Sequence, residues 1–97
     1  MRHYHRTSIT PADVLVVADE FFAALALQAT ASAARSRTLA GSLGRLTLTV
    51  RPEGGHYTFI EVHTDQVGES RLDKNVKKFF NAVHRRAEPS HAIKAGY

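Results

Sequence analysis

The sequence predicts an α+β two-layer sandwich: an antiparallel sheet of three to four strands packed on two helices, in the order β-α-β-β-β-α. Three observations carry that expectation. Two segments place apolar residues at helical spacing behind a start signal; a central segment changes to a period of two on either side of a Pro-Glu-Gly-Gly turn; and the chain has 97 residues, 43% hydrophobic and 23% charged. A chain of that size holds one core, since two would leave each half below the roughly 50 residues a domain needs. The expected organisation is a single domain over residues 1–88 and a short C-terminal tail over 89–97, set off by Pro89.

His3 to Ile9 reads as a short N-terminal strand. At Thr10-Pro11-Ala12-Asp13 the threonine can cap a helix, the proline suits the first helical position where its missing N–H costs nothing, and Asp13 can reach back to the cap. Val14, Val17, Ala18, Phe21, Phe22 and Leu25 then recur at spacings of three and four, leaving Asp13, Asp19, Glu20 and Gln28 for solvent. A helix is expected from Pro11 to about Leu27. A weaker strand follows over about Ala31 to Ala40, overlapping a run of small residues at 29–34 and ending at Gly41-Ser42-Leu43-Gly44.

From Arg45 to Arg51 apolar and polar residues alternate strictly, which puts Leu46, Leu48 and Val50 on the core side of a strand. Pro52-Glu53-Gly54-Gly55 supplies turn chemistry, and His56 to Thr64 resumes as the partner strand of an antiparallel hairpin. The last helix begins at Ser70, with Asp73 three residues on as a capping partner. Leu72, Val76, Phe79, Phe80 and Val83 form its buried face, and it ends before Pro89.

The formal net charge is +4, from 13 Lys+Arg against 9 Asp+Glu. Its whole excess lies in the C-terminal segment, where Asp73 and Glu88 are the only acids. Arg71, Lys74, Lys77, Lys78 and Arg85 make a basic face on the last helix, which either solvates an amphipathic helix or tracks an anionic partner. No apolar stretch approaches the roughly 20 residues that cross a bilayer, no signal-peptide core follows Met1 to His5, and there is no cysteine. The expectation is a cytoplasmic protein without a membrane span, disulfide framework, zinc ribbon or iron–sulfur cluster.

The candidate site follows from the hairpin alternation. Arg45, Thr47, Thr49 and Arg51 point away from the core on one strand, and Tyr57, Phe59, Glu61 and His63 do so on the other. Guanidinium groups neutralise phosphate and aromatic rings stack on bases, so this face suits nucleic acid. The same rings would pack on a second copy of the chain. The leading expectation is a non-enzymatic, small basic interaction module that self-associates as a homodimer or other homo-oligomer, or docks on a protein partner, through this open sheet face. The alternative is a nucleic-acid-binding protein using the arginines and aromatics of that face.

Other chemistry finds less footing. Ser36, Ser42 and Ser70 lack the context of a nucleophile, and Glu61 with His63 is the best acid–base pair available. His3 and His5 would share one strand face and His63 lies two residues before Asp65, but nothing in the sequence brings the two groups together. No catalytic residue, metal ligand set or cofactor is expected, and the chain is not expected to be an enzyme.

Thr10 to Val14 leading into Phe21-Phe22, the strand Gly44 to Arg51, the turn Pro52 to Gly55 and the closing helix Leu72 to Val83 together give the chain an element order that resembles the helix-grip folds (Bet v 1 and START-like proteins). It also resembles a single repeat of a TATA-binding-protein-like fold. The likeness covers about residues 3 to 86 and rests on element order and hydrophobic pattern. What the helix-grip resemblance implies is a further possible function, a small-ligand carrier.

Overall fold

The computed structural model describes residues 1–88; the tail expected over 89–97 lies outside the described residues. The elements are β1 (Arg2–Thr7), α1 (Pro11–Ala23), β2 (Gln28–Ala33), β3 (Ser36–Gly41), β4 (Gly44–Glu53), β5 (Tyr57–Thr64) and α2 (Arg71–Ala87). The chain is an α+β protein in which one antiparallel sheet packs on two helices. The expected strand count and order need correcting, because the sheet has five strands and the order is β-α-β-β-β-β-α. What reads as one weak strand over 31–40 is a hairpin, broken by a turn at Ala34 and Arg35. Small residues dominate that stretch, β2 buries none of its side chains and β3 buries only Leu39, so no apolar alternation marks where one strand stops and the next starts.

The strands lie in the order β1-β5-β4-β3-β2, with every neighbouring pair antiparallel. The hairpin β4–β5 is therefore interior, and β1 and β2 are the edges. The inward side chains Leu39, Leu46, Leu48, Val50, Ile60 and Val62 meet Val14, Leu15, Val17, Ala18 and Phe22 of α1 and Leu72, Val76, Phe79 and Val83 of α2 in a single core. The rings of Phe22 and Phe79 lie 5.1 Å apart between the layers. Each such ring, fully buried, contributes about 1.5–3 kcal/mol by leaving water.

Both helix starts form as the sequence predicts. Thr10 Oγ1 accepts from the Asp13 N–H at 3.2 Å with Pro11 at the first helical position, and Ser70 Oγ accepts from the Asp73 N–H at 3.1 Å. The end of α1 does not, since it stops at Ala23 instead of continuing to Leu27. There the Leu27 N–H donates to the Phe22 carbonyl and the Ala26 N–H to the Ala23 carbonyl, each at 3.0 Å, with Ala26 at φ 60°. This closure usually carries glycine at the left-handed position, and an alanine in its place hides the stop from a reading of the sequence. The hairpin turn is also later than expected. Pro52 and Glu53 pair with Thr58 and Tyr57 inside the ladder, and Gly54 and Gly55 take the positive φ values of 61° and 79°.

Candidate functional site

The alternation of β4 and β5 places all eight expected face residues on the side of the sheet opposite the helices. Thr47 pairs with His63, Thr49 with Glu61, Arg51 with Phe59, while Arg45 sits beside Ala40 of β3 and Tyr57 beside Glu53. Sequence reasoning missed the third strand of this face. β1 pairs with β5 so that Arg2 lies beside His63, Tyr4 beside Glu61 and Arg6 beside Phe59. Three rungs result: Arg2–His63–Thr47, Tyr4–Glu61–Thr49 and Arg6–Phe59–Arg51. Thr38 and Ser36 of β3 extend the first two with hydroxyls. A signal for β1 did exist in the sequence, as Arg2, Tyr4 and Arg6 alternate with His3, His5 and Thr7, but neither set is apolar enough to declare which one faces the core.

Phe59 is the exception to an otherwise open face. It points outward yet is only 9% exposed. Tyr4 stacks on it with ring centroids 5.6 Å apart, and the guanidinium carbons of Arg6 and Arg51 lie 4.9 and 4.7 Å from its centroid. The expectation that Phe59 itself offers a free ring is thereby corrected: neighbouring strands supply the side chains that cover it. The exposed rings are Tyr4, which keeps one face on Phe59, and Tyr57, 54% and 56% exposed. Glu53, at the end of β4, accepts from Arg6 Nε through Oε1 and lies 3.9 Å from Arg51 Nη2 through Oε2. At the opposite end of the face Asp65 accepts the Arg45 backbone N–H at 2.9 Å, and that bond, helped by Gln66, holds its carboxyl below the usual range.

The histidines divide between the two sides of the sheet. His3 and His5 share the inner face of β1, where His5 stacks on Phe80 of α2 at 5.0 Å and His3 Nε2 lies 2.7 Å from Asp73 Oδ1, whereas His63 is on the outer face. The two groups noted in the sequence do not converge, and among the described residues no cluster of three His, Cys, Asp or Glu side chains is placed to hold a metal ion. Asp73, expected only as a cap, is buried and also accepts from Thr64 Oγ1 at 2.8 Å.

Arg71, Lys74, Lys77, Lys78 and Arg85 are all exposed on α2, in the helix layer on the other side of the sheet from the arginine face. The two basic regions therefore cannot act on one flat ligand together. Lys77 donates to Glu69 at 2.9 Å, and this bond lowers the Glu69 carboxyl. Among the described residues no helix is long and apolar enough to cross a membrane. No protein-family model matches the chain, and no curated protein matches it in sequence.

Proposed function

We infer that the chain is a non-enzymatic binding module that docks single-stranded nucleic acid on the outer face of its sheet. One observation carries the reading: Arg2, Arg6, Arg45 and Arg51 share an uncovered face with two half-exposed tyrosine rings, while the one phenylalanine of that face is covered. Arginine neutralises the phosphates that recur along such a strand, and tyrosine stacks on any base because every base has a π-face. The covered Phe59 leaves little apolar area for a face-to-face dimer, whose core is richer in apolar groups than the surrounding surface. A helix-grip carrier would need its ligand space between sheet and helices, where Phe22, Phe79, Leu46, Leu48 and Ile60 are packed.

The test is a fluorescence titration of single- and double-stranded oligonucleotides at two salt concentrations. Arg51→Ala should weaken binding for all sequences alike and reduce the salt slope by about 0.7 of a unit, the share of one single-strand phosphate. Tyr57→Ala should lose about 1–3 kcal/mol with the slope unchanged. Absence of binding at low salt refutes the reading, because electrostatic attraction is strongest there.

Self-association, the second reading, is favoured by a different feature. The edge strand β2, Gln28–Ala33, has six exposed residues and no charge, so its outer backbone edge lacks the charged side chains that usually guard against pairing with another strand. Light scattering at micromolar concentration decides it: a mass above one protomer supports pairing through this edge, and a single-protomer mass removes it.

A further inference from the structure

We propose that Arg6, Arg51 and the Phe59 ring form a seat for one phosphate group, and that Glu53 fills this seat in the free protein as an intramolecular stand-in. The proposal rests on the nucleic-acid reading of the face for its ligand, but not for its geometry. Arg6 of β1 and Arg51 of β4 flank Phe59 of β5 on a single rung, so three strands fix the positions of the two guanidinium groups. Both groups lie over the same ring, at 4.9 and 4.7 Å. The attraction of a cation for the ring face holds them there, which restricts two long side chains before any anion arrives.

The Glu53 carboxylate spans the pair with its two oxygens, Oε1 accepting from Arg6 Nε and Oε2 lying 3.9 Å from Arg51 Nη2. A phosphodiester presents its two free oxygens in the same way and suits the same donors, because guanidinium forks match carboxylate and phosphate alike. Both arginines are exposed, and ion pairs in water at such positions are weak, so an incoming phosphate can displace the carboxylate. At the β1 edge of the face Arg6 and Tyr57 also border a shallow cleft of about 180 Å³, whose other walls are Thr7, Ser8 and, from the end of α2, His84, Ala87 and Glu88. Glu53 thus sets a threshold. It lowers the affinity for an isolated phosphate and leaves a polymer that engages Arg2, Arg45 and the tyrosines as well at an advantage.

The experiment compares wild type, Glu53→Gln, Glu61→Gln and the double variant Glu53→Gln/Arg51→Ala in calorimetric titrations with pyrophosphate and, separately, with oligothymidylate. Arginine Nε–H resonances are followed by NMR. Glu53→Gln should bind both probes about two- to fivefold more tightly, the scale set by removing a weak competing ion pair. The Arg6 Nε–H signal should shift with pyrophosphate, and the double variant should lose the gain. Glu61→Gln removes the same charge from the next rung of the same face, so an equal rise in both single variants would mean a general field effect and would overturn the seat. An unchanged affinity in Glu53→Gln overturns it as well. Tighter pyrophosphate binding by Glu53→Gln, with no variant taking oligothymidylate, supports the seat while refuting the nucleic-acid reading.

Discussion

Replacing Asp73 by alanine tests how the first strand is fastened to the rest of the fold. Asp73 is 1% exposed, and its carboxylate is bonded to three side chains from three places in the chain. Oδ1 lies 2.8 Å from Thr64 Oγ1 at the end of β5 and 2.7 Å from His3 Nε2 on β1, while Oδ2 accepts from Ser70 Oγ at 2.6 Å. Burial alone would raise this carboxyl, but the hydrogen bonds from Ser70, His3 and Thr64 outweigh it and hold the group below the ordinary carboxylate range. Each hydrogen bond to an ionised acceptor contributes about 1.5–3 kcal/mol, and alanine would leave the buried Thr64 hydroxyl only its longer bonds to Gln66, 3.5 Å to the carbonyl and 3.3 Å from the N–H. With some relief from His3 and Ser70 turning to other partners, the loss should be about 3–5 kcal/mol, a large part of the roughly 5–15 kcal/mol of a domain this size. Urea denaturation followed by circular dichroism measures it, with the exposed Glu20→Ala as a control that should leave the midpoint in place. The pH dependence supplies a second check. Because the folded value is depressed, the contribution is complete above the unfolded value near about 4 and fades as pH falls through the folded value, so the gap between wild type and variant should narrow in acid. A loss below about 1 kcal/mol, or a gap that stays constant down to strong acid, would refute this account of the network.

Ala26→Gly should stabilise the fold by about 0.5–1 kcal/mol in the same assay, since it relieves an alanine held at φ 60° and the gain exceeds the added entropy of the unfolded chain. Phe79→Ala should cost about 3–5 kcal/mol, whereas Phe80→Ala should cost clearly less, because Phe79 is fully buried against Phe21 and Phe22 while Phe80 lies at the margin beside His5. His5 is depressed from the ordinary histidine value, first by burial and then by the charge of His84. Its contribution is therefore complete above the unfolded value near about 6.5 and declines as pH falls, and His5→Phe should flatten thermal stability between neutral pH and pH 5.

Much of the scaffold was legible because the residues that build it repeat with a period. Leu46, Leu48 and Val50 alternate strictly, and Leu72, Val76, Phe79 and Val83 follow helical spacing, so the faces they present are those observed. Ser70 and Thr10 announce their helices by a side chain that needs only its neighbours three residues on. What escaped depends on distant parts of the chain. That β1 lies beside β5 is a matter of strand order, and with it came Arg2, Tyr4 and Arg6 on the outer face and the cover over Phe59. The exact end of α1 escaped for a local reason, an alanine at a left-handed position where glycine would have been read as a stop. Asp73 escaped in part, since its cap is local but its bonds to His3 and Thr64 cross the fold.

The placement of Phe59 shows how the sheet divides its labour. Both helices draw on one face, and that face takes nearly all the large apolar side chains, so the opposite face is left to threonine, arginine and tyrosine. A phenylalanine stranded there would ordinarily be an exposed patch seeking a second surface. Here the gap is closed from within the protomer, by one tyrosine ring and two guanidinium groups, and the closure has a consequence for what the face can bind. Covering the ring makes a largely apolar site a cationic one, because two of the three groups that cover Phe59 are the guanidinium groups of Arg6 and Arg51, beside the Tyr4 ring. The ring serves as a pedestal that holds two positive charges over it, and a partner approaching this rung meets charge before it meets hydrocarbon. That order of encounter favours an anionic ligand over a second apolar surface, and it places the carboxylate of Glu53, already lodged between the two arginines, in direct competition with that ligand.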